Sequence, residues 1–384
     1  MYDVIVIHYS EIGLKGKNRD FFEQALMKNL RKLLGENVKK VYRRYGRIVS
    51  ELSEKFDAEK VKNTLSLTPG VSNFAFAKKV VLDAEKIKKA SIELLKQKKF
   101  ETFKIEASRS NKKFSLTSRQ INEIVGETVV EGLGKGVDLK NPDLTVYIEI
   151  CEKEAFTYTE KYHGIGGLPV GTSGKVIASL SGGIDSPIAS FLMMKRGCNI
   201  VFVHIFNKTM AGRSVLKKIY KIVDRLSKIQ LGAKLYIVPF EKIQKEIIAK
   251  VPAKYRMIVY RRFMMKILNE IAKKEGAKAI VTGDNLGQVA SQTLENLTCI
   301  YEAADLPVLA PLIGMNKEET IAIAKKIGTY EYSIIPYPDC CSFIIAKHPE
   351  TKARLKDVLE MEKKIENPSK LTKESVEKSE VKNF

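Results

Sequence analysis

The chain has 384 residues, a length that predicts two or three domains rather than one core. Hydrophobic residues make up 44%, which excludes disorder as the main state, and no apolar run approaches the roughly 20 residues that span a bilayer. With 66 Lys and Arg against 45 Asp and Glu the formal net charge is +21, which leaves a nucleic-acid partner and lysine-rich solubility equally open.

In chain order, residues 3–9 alternate as a strand. Residues 18–34 place Phe22, Leu26, Leu30 and Leu33 on one side of a helix, with Asn18 at the N-cap position. Residues 41–52 read as a hairpin turning near Tyr45-Gly46, residues 57–65 as a short helix and residues 71–81 as a strand. This β-α-β-β-α-β order predicts a ferredoxin-like α+β domain. A second α/β unit follows, with helices over 84–97 and 118–132, a strand over 103–109 and paired strands over 144–151 and 155–161. The run Gly164-Ile165-Gly166-Gly167-Leu168-Pro169-Val170-Gly171 breaks both helix and strand, so it reads as a linker or functional loop. From Lys175, apolar strands over 176–180, 200–206, 235–238 and 279–282 alternate with amphipathic helices, which predicts a parallel sheet covered by helices on both faces. The Lys- and Glu-rich tail from Lys352 reads as exposed helix fading into a disordered end.

The first of these apolar strands runs into Ser181-Gly182-Gly183-Ile184-Asp185-Ser186-Pro187 and then into a helix over 188–196. Glycines admit close backbone approach, and amides at a helix start face an anion with the helix dipole behind them. Ser181 and Ser186 add hydroxyls, and Pro187 suits a first helical turn. Asp185 would repel phosphate unless Mg²⁺ or a proton intervenes, so it marks function rather than a plain turn. Neither a GxxxxGK[ST] nor a GxGxxG string occurs. At Thr282-Gly283-Asp284-Asn285 another strand ends in glycine and a carboxylate. Alone this is a simple N-cap; beside the first loop it reads as a second wall of one nucleotide pocket.

The string SGGIDS resembles the PP-loop of ATP pyrophosphatases, which adenylate a substrate oxygen and release pyrophosphate. Further strings resemble one family of that group, the ThiI-type tRNA 4-thiouridine synthetases. They are the opening His8-Tyr9-Ser10-Glu11-Ile12-Gly13-Leu14-Lys15-Gly16-Lys17-Asn18-Arg19, the linker GIGGLPVG, TGDNLGQVASQT from Thr282, Pro311-Leu312-Ile313-Gly314 with Lys317, and Asp339-Cys340-Cys341. The resemblance covers nearly all of residues 1–350. It implies a ferredoxin-like domain over 1–56, extendable to about 80, and a THUMP RNA-binding domain over 57–162. A linker over 163–173, a PP-loop domain over 174–350 and a charged helix or tail over 351–384 complete the division. The implied reaction is ATP-dependent thiolation of uridine 8 in tRNA, with adenylation of uracil O4, sulfur attack and AMP release. By position, the resemblance implies ATP contacts from Ser179, Leu180, Ser181, Gly182, Gly183, Ser186, Arg261, Gly283 and Gln292, with adenine held near His204 and Ile205. Asp185 falls to the Mg²⁺–pyrophosphate region, and the Lys317 cation to charge on the α-phosphate.

Five cysteines are few and odd in number, and none has zinc-ligand spacing, so a cytoplasmic protein without a resident metal site is expected. Cys198 and Cys299 read as core, and Cys151 could go either way. Cys340 and Cys341 follow the loop Pro336-Tyr337-Pro338, where the family has its working thiol; the spacing from Lys317 favours Cys340, with Cys341 second. No rhodanese-like segment and no cysteine follows Cys341, so the sulfur should come in trans, from a cysteine desulfurase-like persulfide donor or free sulfide. Residues 255–262 lack the cysteines that hold an iron–sulfur cluster in some relatives. Lys15, Lys17, Arg19, Arg43, Arg44, Arg47, Lys104, Arg109, Lys112, Lys113 and Arg119 could line a phosphate track for tRNA. A homodimer and an added role in sulfur supply for thiamine stay open, as do a PP-loop ligase or amidotransferase on another substrate and a non-catalytic RNA binder.

Overall fold

In a computed structural model, which describes residues 2–96, 98–207, 213–336 and 346–384, the chain divides into two units, Met1–Pro169 and Val170–Phe384. The first begins with β1 (Val4–His8), α1 (Arg19–Leu34), β2 (Val38–Arg44), β3 (Arg47–Leu52), α2 (Ala58–Ser66) and β4 (Asn73–Val81), the ferredoxin-like order. Next come α3 (Ala84–Leu95), β5 (Thr102–Arg109), α4 (Ser118–Leu133), β6 (Gly136–Val137), β7 (Leu144–Ile150), β8 (Glu154–Tyr158) and β9 (Tyr162–His163). One sheet runs β2-β3-β1-β4-β8-β7-β5-β6, with β9 also on β4.

Strand β4 is long enough to serve two partners. Residues 73–77 pair with β1 and residues 78–81 with β8, so one sheet carries both halves of this unit. Two of the cores of this unit lie on either side of that division. Ile5, Leu26, Leu30, Val61, Leu65 and Phe74 pack in the first, and Val80, Ile87, Phe103, Ile121, Val125 and Val146 in the second. Helix α2 therefore packs with the ferredoxin-like elements.

Local capping explains the helix starts. Asp57 accepts from the Lys60 amide and Asp83 from the Lys86 amide, and Thr117 with Gln120 forms a reciprocal capping box. Asn18 corrects an expectation: it stands at the N-cap of α1, but its side chain makes no capping bond. Two tight turns, Glu11–Leu14 and Gly16–Asn18, lead into the helix and keep Asn18 in helical geometry. The glycine-rich run is packed rather than loose over its first residues. The Gly164 amide donates to Ser72 O, Gly166 exchanges bonds with Val71 O and the Gly70 amide, and Leu168 is buried. At Gly164 a Cβ would stand 2.2 Å from Val71 O, so the close approach itself demands glycine.

The second unit contains β10 (Lys175–Ser179), α5 (Asp185–Lys195), β11 (Asn199–Phe206), α6 (Arg213–Gln230), β12 (Lys234–Pro239), α7 (Glu241–Lys250) and α8 (Arg256–Glu275). It continues through β13 (Ile280–Val281), α9 (Leu294–Tyr301), β14 (Val308–Leu309), α10 (Lys317–Ile327), α11 (Tyr330–Ser333), α12 (Leu355–Lys363), α13 (Pro368–Glu377) and β15 (Glu380–Asn383). The sheet order is β14-β13-β10-β11-β12-β15, parallel except for the last strand. The first unit is thus a ferredoxin-like α+β half continued by a second α/β half, and the second unit is a parallel α/β sheet, the fold classes that the sequence predicts.

The tail departs from expectation. It ends in an ordered edge strand, with Leu235 opposite Lys382 and the Phe384 backbone bonded both ways to Ala233. Composition misled because charge hides apolar spacing: Val358, Ile365 and Val376 join the main core of this unit. Glu362 is buried there and takes a 2.6 Å ion pair from the buried Arg262, so an acidic residue that looks solvated is a core partner. Among the described residues no helix is long and apolar enough to cross a membrane.

Candidate nucleotide site

Strand β10 lies between β11 and β13, so successive crossovers leave it in opposite directions, and the crevice at its carboxyl end is where open α/β sheets bind ligands. The loop after it is held by its own hydroxyls. Ser186 Oγ accepts from the Ser181 amide at 2.8 Å, and Ser181 Oγ accepts from the Gly183 amide at 3.2 Å. The amides of Gly182, Ile184 and Asp185 donate to no acceptor among the described residues, and Ile184 at the N-cap of α5 offers no side-chain cap. Unsatisfied amides at a helix start form an anion seat. Neither Gly182 nor Gly183 adopts positive φ, so what they supply is bare backbone rather than an unusual turn. Gly283 has a different task. A Cβ there would stand 2.7 Å from Ser186 N and 2.9 Å from its Cα, so glycine lets the second loop close against the start of α5.

A cavity of about 570 Å³ opens at these loops. Ser179, Ser181, Asp185, Ser186, Thr282, Gly283 and Asp284 give it a polar wall. Met257, Ile258, Met264 and Met265, all on α8, give it an apolar wall, and Arg261 and Gln292 also line it. A phosphate seat beside an apolar slot of this size suits a nucleotide.

The two carboxylates of this cavity have opposite surroundings. Asp284 is 3% exposed. Arg261 Nη2 reaches both of its oxygens, at 2.6 and 2.7 Å, the Tyr301 hydroxyl donates to Oδ2 at 2.7 Å and the Gln292 amide to Oδ1 at 3.1 Å. Burial would push its carboxyl up, but the Arg261 charge and these bonds outweigh burial and hold it below the usual range. Asp185 has one hydrogen-bonding side chain, Gln288 Nε2 at 3.4 Å. Burial pushes its carboxyl above the usual range, against that bond and the more distant charge of Lys317. Lys317 is exposed and occupies the first turn of α10, an unfavourable place for a cation near the positive end of the helix dipole. The Asn316–Glu319 capping box and Glu318 offset it.

The cavity gathers Ser179, Ser181, Asp185, Ser186, Arg261, Gly283 and Gln292 of the sequence-predicted site, with Gly182 and Gly183 in the same loop. Leu180, His204 and Ile205 stay buried behind it, and His204 Nδ1 bonds to Leu180 O at 2.9 Å, so any adenine contact there falls to backbone. Cys340 and Cys341 lie outside the described residues. Burial pushes the thiols of Cys151, Cys198 and Cys299 up, and all three are buried. The sequence reading missed the methionines of α8, whose spacing reads as core, and Tyr301, for which no local signal exists.

The basic residues of the first unit divide in two. Arg19 pairs with Glu23 at 2.9 Å, Arg43 with Glu23 and Asp20, and Arg44 with Glu154 at 2.5 Å. Lys104 pairs with Glu106, Arg119 with Glu123, and Arg109 caps the carbonyls of Phe114 and Leu116. Arg47 reaches Glu149 at 2.5 Å. Lys15 lies over the Phe22 ring. Lys17, Lys112 and Lys113 are exposed and make no ion pair among the described residues.

The family model "Thiamine biosynthesis protein (ThiI)" matches residues 171–367, a "ThiI ferredoxin-like domain" model matches residues 4–75, and a "THUMP domain" model matches residues 82–160. A probable tRNA sulfurtransferase of Caldanaerobacter subterraneus subsp. tengcongensis is 43% identical over 95% of this chain and 96% of its own length. One from Thermus thermophilus is 41% identical over 94% and 89%. Among solved structures, a 4-thiouridine synthetase in complex with RNA and bound ATP superposes with a TM-score of 0.91 at 35% identity, covering 100% of both chains.

Proposed function

The chain belongs to the ThiI family, and on that premise we propose that it is an ATP-dependent tRNA sulfurtransferase that converts uridine 8 to 4-thiouridine. The observation that carries the reading is the cavity in which unsatisfied helix-start amides, Asp185 and an apolar slot on α8 converge. ATP would place its phosphates on the amides of Gly182, Ile184 and Asp185 and its adenine along Met257, Met264 and Met265. Uracil O4 attacks the α-phosphorus and pyrophosphate leaves, which turns a poor leaving group into AMP. A sulfur nucleophile then attacks C4, and AMP departs. The free amides and the Lys317 cation stabilise negative charge as it grows on phosphate oxygens.

Mg²⁺ fits this site: Asp185 is a carboxylate lining the cavity with no ion pair among the described residues, and Mg²⁺ takes one or two carboxylates and completes its shell with phosphate and water. Bound there, it would screen phosphate charge. No group of three or more His, Cys, Asp or Glu side chains with metal-binding geometry occurs among the described residues, which suits a metal that arrives with ATP. The three described thiols are buried with raised pKa values, so Cys340 or Cys341 is assigned the sulfur. The first unit is assigned to tRNA, a persulfide protein or sulfide supplies sulfur in trans, and the setting is cytoplasmic. The test is incubation with ATP, Mg²⁺, unmodified tRNA and sulfide. Thiouridine absorbance with stoichiometric AMP is expected, and absence of both overturns the proposal. The family description also names thiamine biosynthesis, so a thiazole requirement in cells lacking the protein is the check on that second role.

A further inference from the structure

Arg261 and Gln292 line the cavity, yet neither is rigid by itself. Both converge on Asp284, as does Tyr301 from the last residue of α9. An ionised carboxylate has about four acceptor sites. Here Arg261 spans both oxygens, Gln292 takes one and Tyr301 the other, with Thr282 Oγ1 3.3 Å from the same phenol. Such a carboxylate has little capacity left for a cation. It also has its charge cancelled by Arg261, so it does not repel phosphate.

What the arrangement fixes is the direction of two side chains. With its amide nitrogen committed to Asp284, Gln292 keeps its Oε1 as a buried acceptor without a hydrogen-bond partner among the described residues. Arg261 likewise keeps its guanidinium in one plane, with Nη1 directed to Ser291 O at 3.4 Å.

We propose that Asp284 and Tyr301 are positioning residues for nucleotide binding, acting through Arg261 and Gln292 rather than touching the nucleotide. The proposal rests on the reading that this cavity binds ATP. Asp284 sets the charge and geometry, and Tyr301 holds Asp284 against rotation. The ligand class is a nucleoside triphosphate.

The experiment measures ATP affinity by calorimetry, together with steady-state kinetics and tRNA affinity, for the wild type, Tyr301→Phe and Asp284→Asn. Tyr301→Phe removes one hydroxyl at nearly constant shape, so its fold should survive, and melting curves verify that. Expected is a 3- to 10-fold weaker ATP affinity, the size of one ordinary hydrogen bond, because the lost bond acts on the nucleotide only through Arg261 and Gln292. At saturating ATP kcat should stay within about twofold, with tRNA affinity unchanged. Asp284→Asn should weaken ATP further in the same pattern. Equal ATP affinity in wild type and both variants overturns the inference while leaving the ATP reading intact. Failure of the wild type to bind ATP overturns the underlying reading instead. A uniform loss of tRNA affinity and melting temperature without a selective ATP effect assigns Tyr301 to packing and also overturns it.

Discussion

After β10 the chain turns through Ser181-Gly182-Gly183-Ile184-Asp185 into α5, and after β13 it turns through Thr282-Gly283-Asp284 beside it. Both turns leave neighbouring parallel strands, and both combine glycine with aspartate. Their carboxylates are nevertheless in different states. Asp284 is enclosed by Arg261, Gln292 and Tyr301, whereas Asp185 has one long bond from Gln288. The difference teaches that a residue type near a ligand site does not define its task; its partner set does. A charge whose partners are all protein groups maintains architecture, and a charge left short of partners awaits a ligand. The basic side chains of the first unit divide in the same way, with Arg43 and Arg44 committed to Glu23 and Glu154, and Lys17 and Lys113 uncommitted among the described residues.

The largest effect should come from the open carboxylate. On the proposed role of Asp185 at the phosphates, Asp185→Ala is expected to lower the rate of thiouridine formation by about 10³-fold or more. Melting temperature and tRNA affinity should hold, because Asp185 is not part of a protein ion pair among the described residues. A variant that keeps a tenth of wild-type activity breaks the comparison. The enclosed carboxylate should behave in the reverse way under full truncation. Asp284→Ala strands the Arg261 cation, and a buried pair broken on one side costs about 3–5 kcal/mol of stability. Urea unfolding measures it, and a loss under 1 kcal/mol would place Asp284 among the open groups.

An acid test sharpens the comparison in the first unit. Glu149 accepts from Arg47, His8 and the Tyr158 hydroxyl. Burial would push it up, but these partners hold its carboxyl down to about 2. A carboxylate depressed in the folded state contributes stability that is fully present above its unfolded pKa near 4.3 and lost as pH falls toward 2. The amount is on the order of 3 kcal/mol, and Glu149→Gln should remove most of that pH dependence in chemical unfolding between about pH 5 and 2.

How much of this was legible in the sequence depends on the range of the interaction. The SGGIDS turn could be read because strand, glycines and helix start are contiguous. The ferredoxin-like order could be read because apolar periods change at each boundary. Strand β4 was seen, but not its division between β1 and β8, since pairing is set by partners far along the chain. The tail was misjudged because an edge strand needs backbone partners from β12, and Glu362 gains meaning from Arg262, 100 residues away. Tyr301 was invisible for the same reason: it is one aromatic in a short helix until Asp284 lies beside it.

The smallest effect is also the one that resolves the +21 charge. If tRNA phosphates are neutralised by uncommitted cations, Lys17→Ala, Lys112→Ala and Lys113→Ala should each weaken tRNA binding modestly. Each should also reduce the slope of log affinity against log salt by about 1. Arg44→Ala should act differently. Its guanidinium is 2.5 Å from buried Glu154 and 4.4 Å from the Tyr42 ring centroid, so removal costs fold stability, about 1–2 kcal/mol, and leaves the salt slope unchanged. Filter binding of tRNA from 50 to 200 mM salt separates the two behaviours. If Arg44→Ala lowers the slope as much as Lys113→Ala does, then its ion pair opens to RNA, and commitment to a protein partner ceases to distinguish structural charges from binding charges in this unit.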